Sequence, residues 1–252
     1  MKKIMQILFC FFAIPAIDHA QDRINADRPD ATEAATLTPR HFFQAEFGFG
    51  VENMDFNEYN IIHPTVLIKY GLAKRFELRL ENNLISTYSL VIPAGTIRRT
   101  GFEPMRVGFR AALWEEKKWI PKTSLLVHFG IPGIASKNFK AQHVAPSFLL
   151  AMENTITDKI GIGYNLGLEW DGFSNDPVWL YSLSTGFSLG KKWETFLEIF
   201  AFGQEEILET YLDTGLGFYL SNDMKLDAYL GVGIKDAVLN NFFGVGFSFR
   251  IH

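Results

Sequence analysis

From His41 to the final residue the chain alternates bulky apolar side chains with small or charged ones at a spacing of two. Phe43, Ala45, Phe47, Phe49 and Val51 share one parity, and Gln44, Glu46, Gly48, Gly50 and Glu52 the other. At the far end Phe243, Val245, Phe247, Phe249 and Ile251 alternate with Gly244, Gly246, Ser248 and Arg250. A helix would scatter these residues around its axis. A strand separates them cleanly onto two faces.

The same contrast recurs in about twelve segments, with Phe76, Leu78, Leu80 and Leu84 against Glu77, Arg79, Glu81 and Asn83 as the sharpest case. The last greasy face has no later segment to cover it. Lipid outside and polar groups inside would account for the pattern, so the expected fold is all-β: a transmembrane antiparallel β-barrel of about twelve strands in an up-and-down meander. The final strand would close the barrel on the first. Connections alternate between short turns and longer loops such as Thr87 to Gly101 and Pro132 to Gln142. With both ends periplasmic, that parity matches short periplasmic turns and long outer loops. Trp114 and Trp119 suit a headgroup-level girdle.

The pattern also delimits regions. Met1 to Ala20 carries Lys2 and Lys3 before a short apolar core, which reads as a secretory signal peptide and implies export from the cytoplasm of a Gram-negative cell. The single cysteine, Cys10, falls in that core, leaving no disulfide framework afterwards. Residues 21–40 are polar, with Pro29 and Pro39, and are expected as an N-terminal periplasmic segment able to fold into the barrel mouth. Residues 41–252 are the barrel. No stretch after the N-terminus reaches the ~20 apolar residues of a spanning helix, and a net charge of −4 does not favour nucleic acid as a partner.

Candidate chemistry lies on the inward parity. Glu46, Glu77, Glu81, Glu169, Glu198, Asp213 and Asp227 face Lys69, Arg79, Arg106, Arg110 and Arg250 as candidate lumen-lining groups. They could pair across strands as a lattice filling the interior, the favoured role for most of them, or line a conducting path. Glycines such as Gly161, Gly163, Gly215 and Gly217 would thin the inner wall. Gly186-Phe187-Ser188-Leu189-Gly190 matches a nucleophile-elbow pattern, but an elbow needs a parallel sheet with crossover helices, and these connections are too short. His63, His128 and His143 lack ligand spacing, so neither a metal nor another cofactor is expected.

The run Asp27-Arg28-Pro29-Asp30-Ala31-Thr32-Glu33, then Gln44-Ala45-Glu46, and Tyr70-Gly71-Leu72 before Phe76-Glu77-Leu78-Arg79, resembles the outer-membrane barrel family named for the meta-pathway of phenol degradation. The resemblance covers the whole mature chain and implies a porin-like outer-membrane channel or transporter, with aromatic or other small hydrophobic solutes as its cargo. Two departures stand out: Gly101-Phe102-Glu103-Pro104 replaces a Gly-Asp often found there, and His252 ends the chain where an aromatic residue is common. Phe247 and Phe249 then become the aromatics offered to the barrel-assembly machinery. The alternatives are a closed structural or partner-binding barrel and, behind it, a membrane-embedded hydrolase.

Overall fold

The computed structural model describes residues 23–55, 57–93 and 95–252, so the expected signal peptide, with Cys10, lies outside the described residues. The strands are β1 (Phe43–Asp55), β2 (Glu58–Ala73), β3 (Phe76–Val91), β4 (Gly95–Phe102), β5 (Met105–Trp114), β6 (Lys122–Ile131), β7 (Ala145–Thr157), β8 (Ile160–Glu169), β9 (Val178–Leu189), β10 (Trp193–Gln204), β11 (Ile207–Ser221), β12 (Met224–Lys235) and β13 (Asn241–Ile251). All neighbours pair antiparallel, and β13 closes on β1 from Phe43↔Ile251 to Asn53↔Asn241. Closure pairs the strands of the barrel on both edges, except that β4 pairs with β3 alone.

The barrel has the expected twelve positions, with one strand more than the alternation marked. Thr87 to Gly101 is not an open connection: β3 continues to Val91 and β4 returns alongside it, pairing Val91↔Gly95 to Leu84↔Phe102. Below that hairpin, the same edge of β3 pairs with β5, from Glu81↔Arg106 to Phe76↔Ala111. β4 and β5 therefore share one position in a closed twelve-position barrel, broken at Glu103 and Pro104. Pro104 has no N–H to continue a ladder, and the Glu103 N–H donates to the Asn83 carbonyl at 3.0 Å.

A second irregularity sits in β2. Its register against β1 and β3 shifts between Ile62 and Thr65, around Pro64. Ile62 therefore pairs with Gly50 and Ile85 on the inner face, although simple alternation places it outside. His63, expected inside, lies 2.9 Å from Ser86 Oγ on the opposite face.

Elsewhere the two faces separate as the alternation requires. Phe243 and Val245 are 53% and 55% exposed on the outside, whereas Glu77 and Arg110 are 0% exposed within. Trp114, Trp119 and Trp193 cluster at the short-turn end and Trp179 at the other, all exposed, as interfacial girdles require. No described helix is long and apolar enough to cross a membrane; these strands cross instead. The longer connection after β6 carries two short 3₁₀ turns, Pro132–Ile134 and Lys137–Phe139, and is tied to β4 by the Ser136 N–H donating to the Phe102 carbonyl at 2.9 Å.

Candidate functional site: a stoppered lumen

Residues 23–40 lie inside the barrel, in the half nearest the short turns. This irregular segment buries backbone N–H groups that have no ladder partner, and wall side chains supply the acceptors. Asp27 and Arg28 donate to the two oxygens of Glu46 at 3.2 and 3.1 Å. Ala31 donates to Glu198 at 2.7 Å, Glu33 to Asn165 Oδ1 at 2.7 Å, Ala35 to Glu153 at 2.7 Å, and Thr38 to Glu77 at 2.6 Å. Six main-chain donors are thus satisfied around the circumference. The segment runs on to Arg40, which bridges to Gly71 beside β2.

Asp27 is the hub. Its Oδ2 accepts from Lys69 Nζ at 2.9 Å and Arg79 Nη1 at 2.8 Å, and its Oδ1 from Arg110 Nη2 at 3.0 Å. Burial alone would raise the Asp27 carboxyl, but Arg110, Lys69 and Arg79 outweigh it and hold the group well below the usual carboxylate range. Glu33 adds a second carboxylate, bonded to Arg79 at 3.1 Å and also to Arg110. Arg28 reaches the other way, to Asp227 at 3.0 Å, with its guanidinium over the Tyr229 ring. Gly48 makes room for it: a Cβ there would fall 2.6 Å from both the Arg28 guanidinium carbon and Thr65 Oγ1.

The opposite side of the segment is held differently. Thr32 Oγ1 lies 2.8 Å from Ser182 Oγ and also bonds Glu198, while Ser184 Oγ donates to Asp30 at 3.1 Å. Glu198 pairs directly across the strands with Asp213, whose Oδ1 has no hydrogen-bond partner. Three carboxylates gather here with no cation bonded to any of them among the described residues. One side of the stopper is ion-paired; the other relies on neutral donors.

The predicted inward groups therefore divide. Glu46, Lys69, Glu77, Arg79, Arg110, Glu198 and Asp227 hold the segment, and Asp213 stands behind Glu198. Glu81, Arg106 and Glu169 form a separate cluster nearer the long connections: Arg106 bonds Glu169 at 3.1 Å and Ser147 at 3.0 Å and lies 3.9 Å from Glu81. Arg250 belongs to the short-turn rim, bonded to Asp223 at 2.7 Å with Phe42 beneath its guanidinium.

Sequence reading missed the stopper's own charges, Asp27, Arg28, Asp30 and Glu33, because nothing local marks their partners. It also missed an inner aromatic wall. Phe200, Tyr211 and Phe242 are buried together, with Phe202, Tyr229 and the 237–239 loop packed against them. Their inward parity was the available signal.

Two cavities open in the barrel, and only the first is lined by stopper residues. One of about 370 Å³ opens at the short-turn end between Asp30, Thr32, Gly163, Ser184 and Phe196. The other, about 390 Å³, lies under the long connections between Asn83, Arg106, Phe139, Trp170 and Phe173. Ser188, the candidate nucleophile, sits in the antiparallel β9–β10 hairpin before the Gly190 turn, a setting without an elbow. His128 accepts from Arg79 Nε at 3.2 Å, and no cluster able to hold a metal occurs among the described residues.

A solved outer-membrane channel from Pseudomonas putida F1 superposes with a TM-score of 0.70 at 11% identity, covering 88% of this chain and 99% of that one. The KdgM porin (TM-score 0.55, 11% identity, 83% and 99% covered) and the NanC porin (0.53, 11%, 83% and 100%) share the architecture. At such identities the likeness concerns the fold. No curated protein matches the sequence. The family model described as "Putative MetA-pathway of phenol degradation" matches residues 26–251, which is nearly all of the described chain, and this β-barrel therefore belongs to that family.

Proposed function

We propose that the chain is a passive outer-membrane channel for small solutes, with aromatic or other hydrophobic compounds as its preferred class, and that residues 23–40 are a displaceable stopper. The observation that carries this reading is an irregular segment inside the barrel that is held by wall side chains rather than by a sheet and borders an open cavity at the short-turn end. Solute would enter under the long connections, pass the Glu81–Arg106–Glu169 cluster and leave beside Thr32 once the segment moves. Seven of the twelve inward charges act by seating that segment. Phe196 gives the short-turn cavity an aromatic side, and the family description supports the same solute class.

In this reading residues 1–20 are a cleaved export signal and the short turns face the periplasm. Residues 21–40 and 41–252 divide the mature chain into stopper and barrel. Phe247 and Phe249, two residues apart on the outward face of the closing strand, present the aromatic signal to the assembly machinery. The chain performs no catalysis, so Ser188→Ala should leave every activity of the protein unchanged.

Liposome swelling tests the function. Proteoliposomes should swell faster in small phenols than in sugars of similar mass. Equal rates, or no swelling with correctly folded protein, would contradict the proposal. The six-donor seating of the stopper specifically favours a second reading, a closed structural barrel, which predicts no flux of any solute.

A further inference from the structure

Beyond the bulge in β2, one patch on the outer face departs from the apolar pattern. The parity of Leu78, Leu80 and Leu84, shared by the polar Asn82, puts Ser86 and Tyr88 on the lipid side of β3. Register sets Ser86 opposite Thr100 and Tyr88 between Tyr59 and Arg98. His63 Nε2 lies 2.9 Å from Ser86 Oγ, which lies 2.7 Å from Thr100 Oγ1. Tyr59 and Tyr88 stack with centroids 4.7 Å apart, at the level where aromatic belts meet headgroups. Polar groups on a lipid-facing wall are costly and mark function.

Arg98 is the informative residue. It is exposed, yet its Nε donates to Thr100 Oγ1 at 3.0 Å and its guanidinium carbon lies 5.4 Å from the Tyr88 ring centroid. β4 descends from the outer turn, so reaching Thr100 directs the cation toward the membrane. An arginine at this height normally snorkels toward water. No carboxylate of the described residues is ion-paired with Arg98. Phe102, exposed on the same face of β4 and paired with Leu84, offers surface suited to acyl chains. A cation held inward among neutral partners calls for an external anion at headgroup depth.

We propose that this patch binds the phosphate of an outer-leaflet lipid headgroup. Arg98 supplies the charge and planar donors, Tyr88 the platform beneath it, and Thr100 the bond that fixes its direction. Ser86 is wholly buried, so the His63–Ser86 pair is a positioning network that orients Thr100. A buried Oγ cannot serve as a nucleophile. The inference rests on the outer-membrane reading, with the long connections facing outward.

The test reconstitutes the full mature chain in phosphatidylcholine nanodiscs containing a minor fraction of a phosphorylated, multiply acylated glycolipid, and measures lipid retained by native mass spectrometry. Wild type should retain the phosphorylated glycolipid over its dephosphorylated form. Arg98→Gln should weaken retention about fivefold, Thr100→Val should weaken it less, and Lys191→Ala at the opposite rim should not change it. Equal retention by wild type and Arg98→Gln would overturn the site. So would equal retention of the dephosphorylated lipid, or displacement of the lipid by inorganic phosphate at comparable concentration. Arg98→Gln should conduct as wild type does, so a lost channel and a lost lipid site give separate results.

Discussion

At the residue scale the account turns on Asp27. Three cations converge on one buried carboxylate, and removing one partner from such a cluster costs more than a surface ion pair is worth. Asp27→Asn leaves Lys69, Arg79 and Arg110 with only Glu33, Glu46 and Glu77 to balance them. The seated segment should lose about 3 kcal/mol of its hold, seen as faster proteolysis within residues 23–40 and more frequent openings in planar bilayers. Unchanged cleavage and gating would show that Asp27 is not the anchor. The run containing Asp27 stood out in the sequence, but its role did not. Lys69, Arg79 and Arg110 are 42, 52 and 83 residues away, and only barrel closure brings them to one point.

At the scale of elements, alternation fixed strands and faces wherever hydrogen-bond ladders ran unbroken, and it misled where proline interrupted them. Pro64 shifts β2 and exchanges the faces of Ile62 and His63. Pro104 splits one strand position into β4 and β5, so a hairpin stands where a loop was expected. β10 shows another limit: Phe196, Phe200 and Phe202 point inward with Glu194 and Glu198, and a rule equating apolar with outside cannot identify an aromatic interior.

The stopper's two sides also predict a pH response. Burial, and next the charge of Glu198, raise the Asp30 carboxyl well above its ordinary value, while Lys225 and the hydrogen bond from Ser184 pull it down. Asp213 faces the same group from β11. An acid whose pKa is raised in the seated state favours that state below its ordinary pKa, and this contribution disappears as pH rises through the raised value. Asp27, held low, contributes at every pH above its ordinary pKa and lets go only in strong acid. Raising the pH above the ordinary carboxylate range should therefore loosen residues 30–32 first and increase conductance, and Asp30→Asn should flatten that response. A wild-type conductance that does not rise with pH would contradict this asymmetry.

At the scale of the molecule, barrel and stopper are complementary. The barrel satisfies its own backbone through closure, which leaves its inward side chains free to satisfy a segment that has no secondary structure of its own. Small inner residues keep that segment close to the wall, as at Gly48 beside Arg28 and at Gly163, where a Cβ would come within 3.1 Å of the Thr32 methyl. A barrel of this width, between a side-chain-filled interior and an open pore, is blocked by one extended strand of chain. Conduction then depends on how firmly that chain is seated.

The most direct measurement locks it in place. Thr32 and Ser182 side-chain oxygens are 2.8 Å apart, and the only native cysteine, Cys10, falls within the expected signal peptide, so Thr32→Cys with Ser182→Cys offers one disulfide between stopper and wall. In a planar bilayer the oxidised double variant should be silent, and reduction should restore discrete openings like those of wild type. Equal conductance before and after reduction would contradict a channel gated by residues 23–40, and silence in both states would favour the closed barrel.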